Sequence, residues 1–344
     1  TQAHQPDSNV PEFLQEKFDE HPEMVELVDQ CLQQWRIPYQ KNIPENSEAK
    51  LQKLASDFRK LMEKDPYMIR EGQDIDQLDG LFTVVPRREF MIAQAIEHQE
   101  TSADAIRDNT LMDKIREGSN SEALFSEYYQ KIFLSPEFME SRELPIFIKY
   151  WLLGHELRHH FTSAHQEKIP KTDPEVQPIL QDGIDRGYIK PNDTIEILRR
   201  QDGRTTILNN GKVLGSLNHN VAEFNADIWG IYAGAKKIAS ENHMPVEQAV
   251  KILARENLRE LSVLPPQPEH YAQFRVGFAL QVLNKLGLDQ GLASKNYADL
   301  DQLGHILQSE LREQPDKKAR YLINAIKSGD PFKGIYAFSS GESD

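Results

Sequence analysis

Three side chains of the segment His155-Glu-Leu-Arg-His159 have the types and spacing needed to bind and use a metal ion. On an α-helix, positions i and i+4 differ by about 40° in direction, so His155 and His159 project from one face, one turn apart. Two histidine ligands of a single Zn²⁺ require this spacing. Glu156 follows the first histidine, where it can accept a proton from a metal-activated water, so the motif predicts zinc-dependent hydrolysis.

A nearly unbroken apolar run, residues 146–153, leads directly into this motif. The run is too short to cross a bilayer and therefore predicts a helix buried in the core of a soluble protein. Histidine, glutamate and arginine directly after a buried run are costly unless they are paired, bind a metal or face a cleft. The context favours a functional site over a surface helix.

A second predicted helix, from residue 220 to about residue 242, offers a third metal ligand. It carries Glu223 and Asp227 one turn apart, and its many small residues allow close approach to another helix. Glu223 can therefore supply a carboxylate to the shared metal. Asp227 is placed to accept the second ring N–H of a ligand histidine and so fix its tautomer.

The two motifs together, His155-Glu-x-x-His159 and Glu223-Phe-Asn-Ala-Asp227, resemble those of the gluzincin metallopeptidases. The pattern is most similar to that of the HtpX-type and prenyl-protein-processing endopeptidases. The resemblance implies zinc bound by His155, His159 and Glu223, with Glu156 as general base and Asp227 holding a ligand histidine. It covers residues 144–165 and 220–240 only.

The chain also departs from this family. The family's membrane helices are missing, and Arg158 stands where a small residue is usual. The family often has a His-Pro-Pro stretch followed by an arginine, whereas a Pro-Pro pair precedes His270 here. We consider His270 a candidate catalytic residue. The candidates for stabilising a tetrahedral oxyanion are His270, Tyr271, Arg275 and Tyr232.

A rival ligand set would use His165 as a third histidine. The spacing of His155, His159 and His165 resembles that of the metzincins, except that Thr162 occupies the glycine position at which that family leaves the helix. If the helix simply continues, His165 lies about 80° away from His155 and roughly 15 Å along the axis. The rival set is therefore disfavoured. His160 points off the shared face, towards either the surroundings of the site or the surface.

Composition limits the classes of function. The chain has 344 residues, of which 39% are hydrophobic and 27% charged, as is typical of a soluble globular protein. A net charge of −14 without a basic stripe argues against nucleic-acid partners and anionic membranes. The single cysteine, Cys31, excludes an internal disulfide. No transmembrane or signal segment is evident, so we expect a cytoplasmic protein, or one exported after signal-peptide removal.

Periodicity and turn residues predict a mainly α (α+β) fold: a zincin-like catalytic core with a small antiparallel β-meander and an N-terminal helical region. We divide the chain into an N-terminal helical region (1–140), a metallopeptidase domain (141–290) and C-terminal helices with a tail (291–344). Helices are predicted in the first region at 11–19, 22–35, 47–64, 87–99, 102–118 and 121–133, with a strand at 81–85.

The meander is predicted between the two metal-binding helices, at about 190–218. After a short helix at 174–186, strands are expected at 194–198, 204–208 and 212–216, separated by the turn signals Asp202-Gly and Asn210-Gly. We expect this sheet to border the substrate cleft. Further helices are predicted at 245–261, 270–286, 297–312 and 315–327.

Together these features predict a zinc-dependent endopeptidase that acts on protein or peptide substrates with Glu156 as general base. One alternative is a helical partner-binding protein on a degenerate zincin core, which the intact Glu156 disfavours because a structural site needs no base. A second is a zinc amidase or another hydrolase with a non-protein substrate. A third resembles the phage-exclusion-type cytosolic peptidases, with the same chemistry and a host protein as target. Cleft shape decides between them.

Overall fold

Helices dominate the part of the chain that the computed structural model describes, and two small sheets accompany them, so the predicted mainly α, α+β class is confirmed. The helices predicted at 270–286, 297–312 and 315–327, together with His270, Tyr271 and Arg275, lie outside the described residues, as does the helix predicted at 245–261 except for residues 245, 246 and 249. The three-part division of the chain stays a prediction. The described residues are 10–39, 43–63, 78, 80–140, 146–217, 219–246 and 249.

The N-terminal region packs around one central helix. Its helices are α1 (Glu12–Glu20), α2 (Pro22–Trp35), α3 (Ser47–Met62), α4 (Arg87–Thr101) and α5 (Asp104–Asn120), which confirms five of the predicted helices. Helix α4 is buried on most sides because α1, α2 and α5 all pack against it. Its apolar residues Met91, Ile92 and Ile96 are fully enclosed. The C-terminal end of this fixed helix reaches the functional site.

The helix predicted at 121–133 is wrong, because this segment forms a β-hairpin. Strands β2 (Ala123–Ser126) and β3 (Lys131–Leu134) pair antiparallel, and β3 pairs parallel with β1 (Phe82–Val84), which confirms the predicted strand there. Gln130 adopts a left-handed φ of 52° in the connecting turn. Neighbouring strands pair with both edges of β3, and its apolar residues are completely buried on the two faces of the sheet. This non-local pairing and packing outweigh the local helix-like spacing.

The predicted meander is confirmed, and it has one more strand than expected. After α6 (Pro136–Glu140) and α7 (Ile146–Ser163), the chain forms an antiparallel sheet of order β4-β5-β6-β7. The additional strand escaped prediction because its residues are polar and exposed. Helix α8 packs on this sheet around a small core of Val176, Ile197 and Ile207. The elements are β4 (Gln166–Lys168), α8 (Gln177–Asp185), β5 (Ile195–Arg200), β6 (Thr205–Asn209) and β7 (Lys212–Leu217).

Helix α7 packs closely against α9 (His219–Asn242), because each helix has a glycine where the two are in contact. A Cβ atom on Gly154 would lie 2.9 Å from the Cβ of Ala233. One on Gly230 would lie 2.5 Å from the carbonyl oxygen of Trp151, which is backbone and cannot swing away. The small residues of α9 therefore allow the close approach that the sequence predicted. Within the described ranges, none of the helices combines the length and apolar character that crossing a membrane requires.

Gly230→Ala is expected to destabilise the protein and to weaken metal binding. Overpacking a tight contact typically costs about 1–3 kcal/mol, which exceeds the gain of about 1 kcal/mol in helix propensity. Urea denaturation measures the first effect, and competition with a chelator measures the second. Gly215→Ala is the control, since a Cβ there meets nothing within 4 Å. Equal losses in the two variants would contradict the tight contact between α7 and α9.

Candidate metal centre and its cavity

The close pair of helices brings three metal-binding side chains together. Helix α7 supplies His155 and His159, and α9 supplies Glu223. The two Nε2 atoms are 3.2 Å apart. Glu223 places Oε2 at 3.4 Å from Nε2 of His155 and Oε1 at 3.3 Å from Nε2 of His159. The predicted ligand set thus converges on one point.

These separations are those of ligands that share one ion. Two ligand atoms about 2.0–2.1 Å from a tetrahedral metal lie roughly 3.3 Å from each other. Both histidines are buried, at 8% and 9% exposure, so water cannot solvate their inward-facing nitrogens freely. A group of two imidazoles and one carboxylate with this geometry can hold a metal ion.

The neighbouring histidines keep the Glu223 carboxylate ionised, which favours binding of a cation. Burial by itself raises the pKa of this group, but the neighbouring His159 and His155 outweigh burial and hold the pKa well below its usual range. The carboxylate therefore stays ionised inside the protein. An ionised carboxylate beside two imidazoles is a favourable environment for a divalent cation.

Glu156 lies beside this group and has an orientation fixed by the first sheet. The backbone N–H of Phe125 donates a 2.7 Å hydrogen bond to its Oε2, while Oε1 lies 3.9 Å from Nε2 of His155. Burial raises the pKa of Glu156, and the nearby His155 and His159 oppose this shift. One oxygen is thus engaged by the strand, and the other lies near the metal-binding group, as a general base requires.

Strand β2 is a part of the site that sequence reasoning missed. Within the described part of the chain it is an edge strand, and Phe125, opposite Ile132 in the register, directs its N–H away from β3 and towards Glu156. The edge of β2 that no described strand covers therefore lies beside Glu156, next to the metal-binding group. Two short apolar runs separated by the polar turn 127–130 were the signal that could have revealed the hairpin.

A cavity of about 460 Å³ contains the metal-binding group in its wall. The meander contributes Arg200 at the end of β5, Arg204 in the β5–β6 turn and Val213 in β7, so it borders this cavity. That the cavity is the substrate cleft stays a prediction. Helices α4 and α5 form the opposite side. Most of the wall is polar. Its polar residues from α4, α5 and the residues between them are Gln94, Glu97, His98, Thr101, Ser102, Lys114 and Glu117.

Neither protein-family models nor curated proteins nor solved structures match this chain. The functional interpretation depends on the residues and geometry of the site.

Arg158, which departs from the resembled family pattern, packs between the metal-binding helices. Its side chain is fully buried, and its guanidinium carbon lies 4.7 Å from the centre of the Trp229 ring on α9. A cation in this position is attracted by the face of the ring. Arg158 therefore stabilises the helix pair that positions Glu223 opposite the two histidines.

The remaining predicted residues lie away from the metal-binding group or outside the described residues. Helix α7 ends at Ser163 and leaves His165 exposed, so the rival histidine set is wrong. The ring of His160 packs edge-on against Phe125, 5.4 Å between centres, which places it near the site. Tyr232 is buried in α9 and does not line the cavity described above. The backbone of Asp227 lies in α9, but its side chain, like His270, is outside the described residues.

Proposed function

We propose that the protein is a zinc-dependent endopeptidase of the gluzincin type. The observation that carries the proposal is the convergence of His155, His159 and Glu223 on one point, with the oriented carboxylate of Glu156 beside it. Two histidines and a carboxylate form the ligand set of hydrolytic zinc sites that keep one position open. The same donors also bind Fe(II) in oxygenases, but those sites have no need of an adjacent base.

In this proposal Glu156 performs the proton transfers. Bound zinc would lower the pKa of a water towards ~7 and polarise the substrate carbonyl. Glu156 takes the proton from the attacking water at Oε1, because the Phe125 N–H engages Oε2. As the C–N bond breaks, Glu156 returns this proton to the leaving amine. The raised pKa of Glu156 helps it to hold the proton between these two steps.

The free edge of β2 supports a peptide as the substrate. An extended chain can pair with an exposed strand through main-chain hydrogen bonds. The register directs the carbonyl of Phe125 and the peptide groups of Ala123 away from β3, so a chain paired there would run beside Glu156. Zincin clefts usually use a strand that precedes the metal helix, and β2 precedes α7.

A peptide-cleavage assay tests this proposal. We expect the zinc-loaded protein to cleave members of a mixed peptide library, with new termini identified by mass spectrometry. The chelator 1,10-phenanthroline should abolish cleavage, and one equivalent of zinc should restore it, because Glu156 alone is a weak catalyst without the metal. Full zinc occupancy without cleavage of any peptide, or cleavage that the chelator leaves unchanged, would contradict the proposal.

A further inference from the structure

Two arginines reach the metal cavity from the β5–β6 turn, and buried contacts fix this turn to the metal-binding helix. Asp202 is fully buried and accepts a 2.9 Å hydrogen bond from the Thr162 hydroxyl of α7. Its other oxygen accepts the backbone N–H of Arg204. The N–H of Gln201 donates to the carbonyl of His165, directly after the same helix. The position of the turn relative to the metal-binding group is therefore set by the fold.

The guanidinium groups of Arg200 and Arg204 each have a buried N–H donor that the described residues leave without an acceptor. Arg200 pairs with Glu127, yet its Nε is buried and has no hydrogen-bond partner among the described residues. The Nε of Arg204 is also buried and likewise has no hydrogen-bond partner among the described residues. Burial and the like charge of Arg200 lower the pKa of Arg204. A buried guanidinium without sufficient acceptors is unfavourable.

The acidic groups around Arg204 are engaged elsewhere. Glu127 binds Arg200 and accepts a 2.9 Å hydrogen bond from the Gln166 amide. Asp202 accepts the hydrogen bonds that fix the turn, and Glu223 faces the two histidines. An anion that enters the cavity would therefore find in Arg204 a guanidinium to which no carboxylate of the described residues is hydrogen-bonded.

We propose that Arg204, with Arg200 beside it, is a specificity-determining subsite that binds a carboxylate of the substrate. This inference rests on the proposed peptidase function, because peptides carry carboxylates as aspartate or glutamate side chains and as the free C-terminus. The planar guanidinium fork matches a carboxylate in two hydrogen bonds. The cavity has the size of a small-ligand site, and Arg200 and Arg204 lie in the same wall as His155, His159 and Glu223.

Binding of matched peptide hydroxamates to the zinc-loaded full chain tests the subsite. The hydroxamate group binds the metal, so the probes do not need to be cleaved. One probe is a neutral dialanine amide, the second has a free C-terminal carboxylate, and the third has aspartate in place of the second alanine with the C-terminal amide kept. We expect one acidic probe to bind at least about tenfold more tightly than the neutral probe in isothermal titration. The preferred acidic probe identifies the source of the carboxylate.

Arg204→Gln should remove this preference, so that the acidic and neutral probes bind the variant with similar affinity. Arg199→Gln is the matched control. Arg199 precedes Arg200 in β5, but it pairs with Asp173 and Glu175 and does not line the cavity. If Arg204→Gln does not fold, Arg204→Lys keeps the charge, lacks the fork and should lose most of the preference. Equal binding of all probes by the wild type, or a preference that survives loss of the fork, would overturn the subsite. If the subsite fails in this way, cleavage of neutral peptides would still support the proposed peptidase function. If no peptide is cleaved, the binding experiment still tests the subsite, because the hydroxamate probes do not need to be cleaved.

Discussion

Glu156→Gln is expected to lower peptide hydrolysis by about 10²–10⁴-fold while the zinc content stays the same. The amide oxygen of glutamine can still accept the N–H of Phe125, so the side chain keeps its place. The amide cannot take a proton from water, however, and Glu156 is not one of the three converging ligands. Turnover of a peptide found by library cleavage and elemental analysis of the purified variant measure the two quantities.

A second buried glutamate provides the control for this variant. Glu89 is 4% exposed, pairs with Arg88 and lies outside the cavity wall. Glu89→Gln introduces the same chemical change in a buried site, so it should affect stability and leave turnover per folded molecule close to the wild-type value. Wild-type turnover in Glu156→Gln would mean that another group accepts the proton, and the proposed mechanism would then fail.

The side chains of the candidate metal site could be predicted because their arrangement is largely local. Spacing along α7 places His155 and His159 on one face whatever surrounds the helix. The prediction of Glu223 as a ligand depended also on a contact between two helices. The small residues of α9 indicate that another helix packs closely against it, but they do not identify that helix as α7. Gly154 and Gly230, facing each other's helices, supply that contact.

The strand that orients Glu156 could not be predicted in the same way. Residues 121–133 have apolar spacing that also fits a helix, and their pairing with β1 joins segments far apart in sequence. Only this non-local pairing buries β3 on both faces and leaves the N–H of Phe125 directed at Glu156. A motif on one helix contains no information about which backbone group will be hydrogen-bonded to its glutamate.

The arginines of the cavity show a similar limit. The sequence Asp202-Gly predicts a tight turn, and the structure has one there, with Gly203 at a φ of 91°. The local signal does not specify which end of the meander faces the metal-binding group. That depends on the buried hydrogen bond between Thr162 and Asp202, which joins the meander to α7.

Glu223→Gln is expected to weaken zinc binding by more than about 100-fold, the largest loss among the single substitutions considered for α9. The variant replaces an ionised ligand, 3.3–3.4 Å from the two histidine nitrogens, by a neutral amide that binds zinc poorly. Asp227→Asn, one turn further along the same helix, should cost only about 10–100-fold, because a carboxylate that holds a ligand histidine acts on the metal indirectly.

Titration of both variants with one chelator, followed by elemental analysis, ranks these losses. His165→Ala is the control and should retain zinc as the wild type does, since His165 is exposed beyond the end of α7. If Asp227→Asn released zinc more readily than Glu223→Gln, the two carboxylates would have to exchange roles. That outcome would place the metal one turn further along α9, away from the point on which Glu223 and the two histidines converge, and would refute the proposed ligand set.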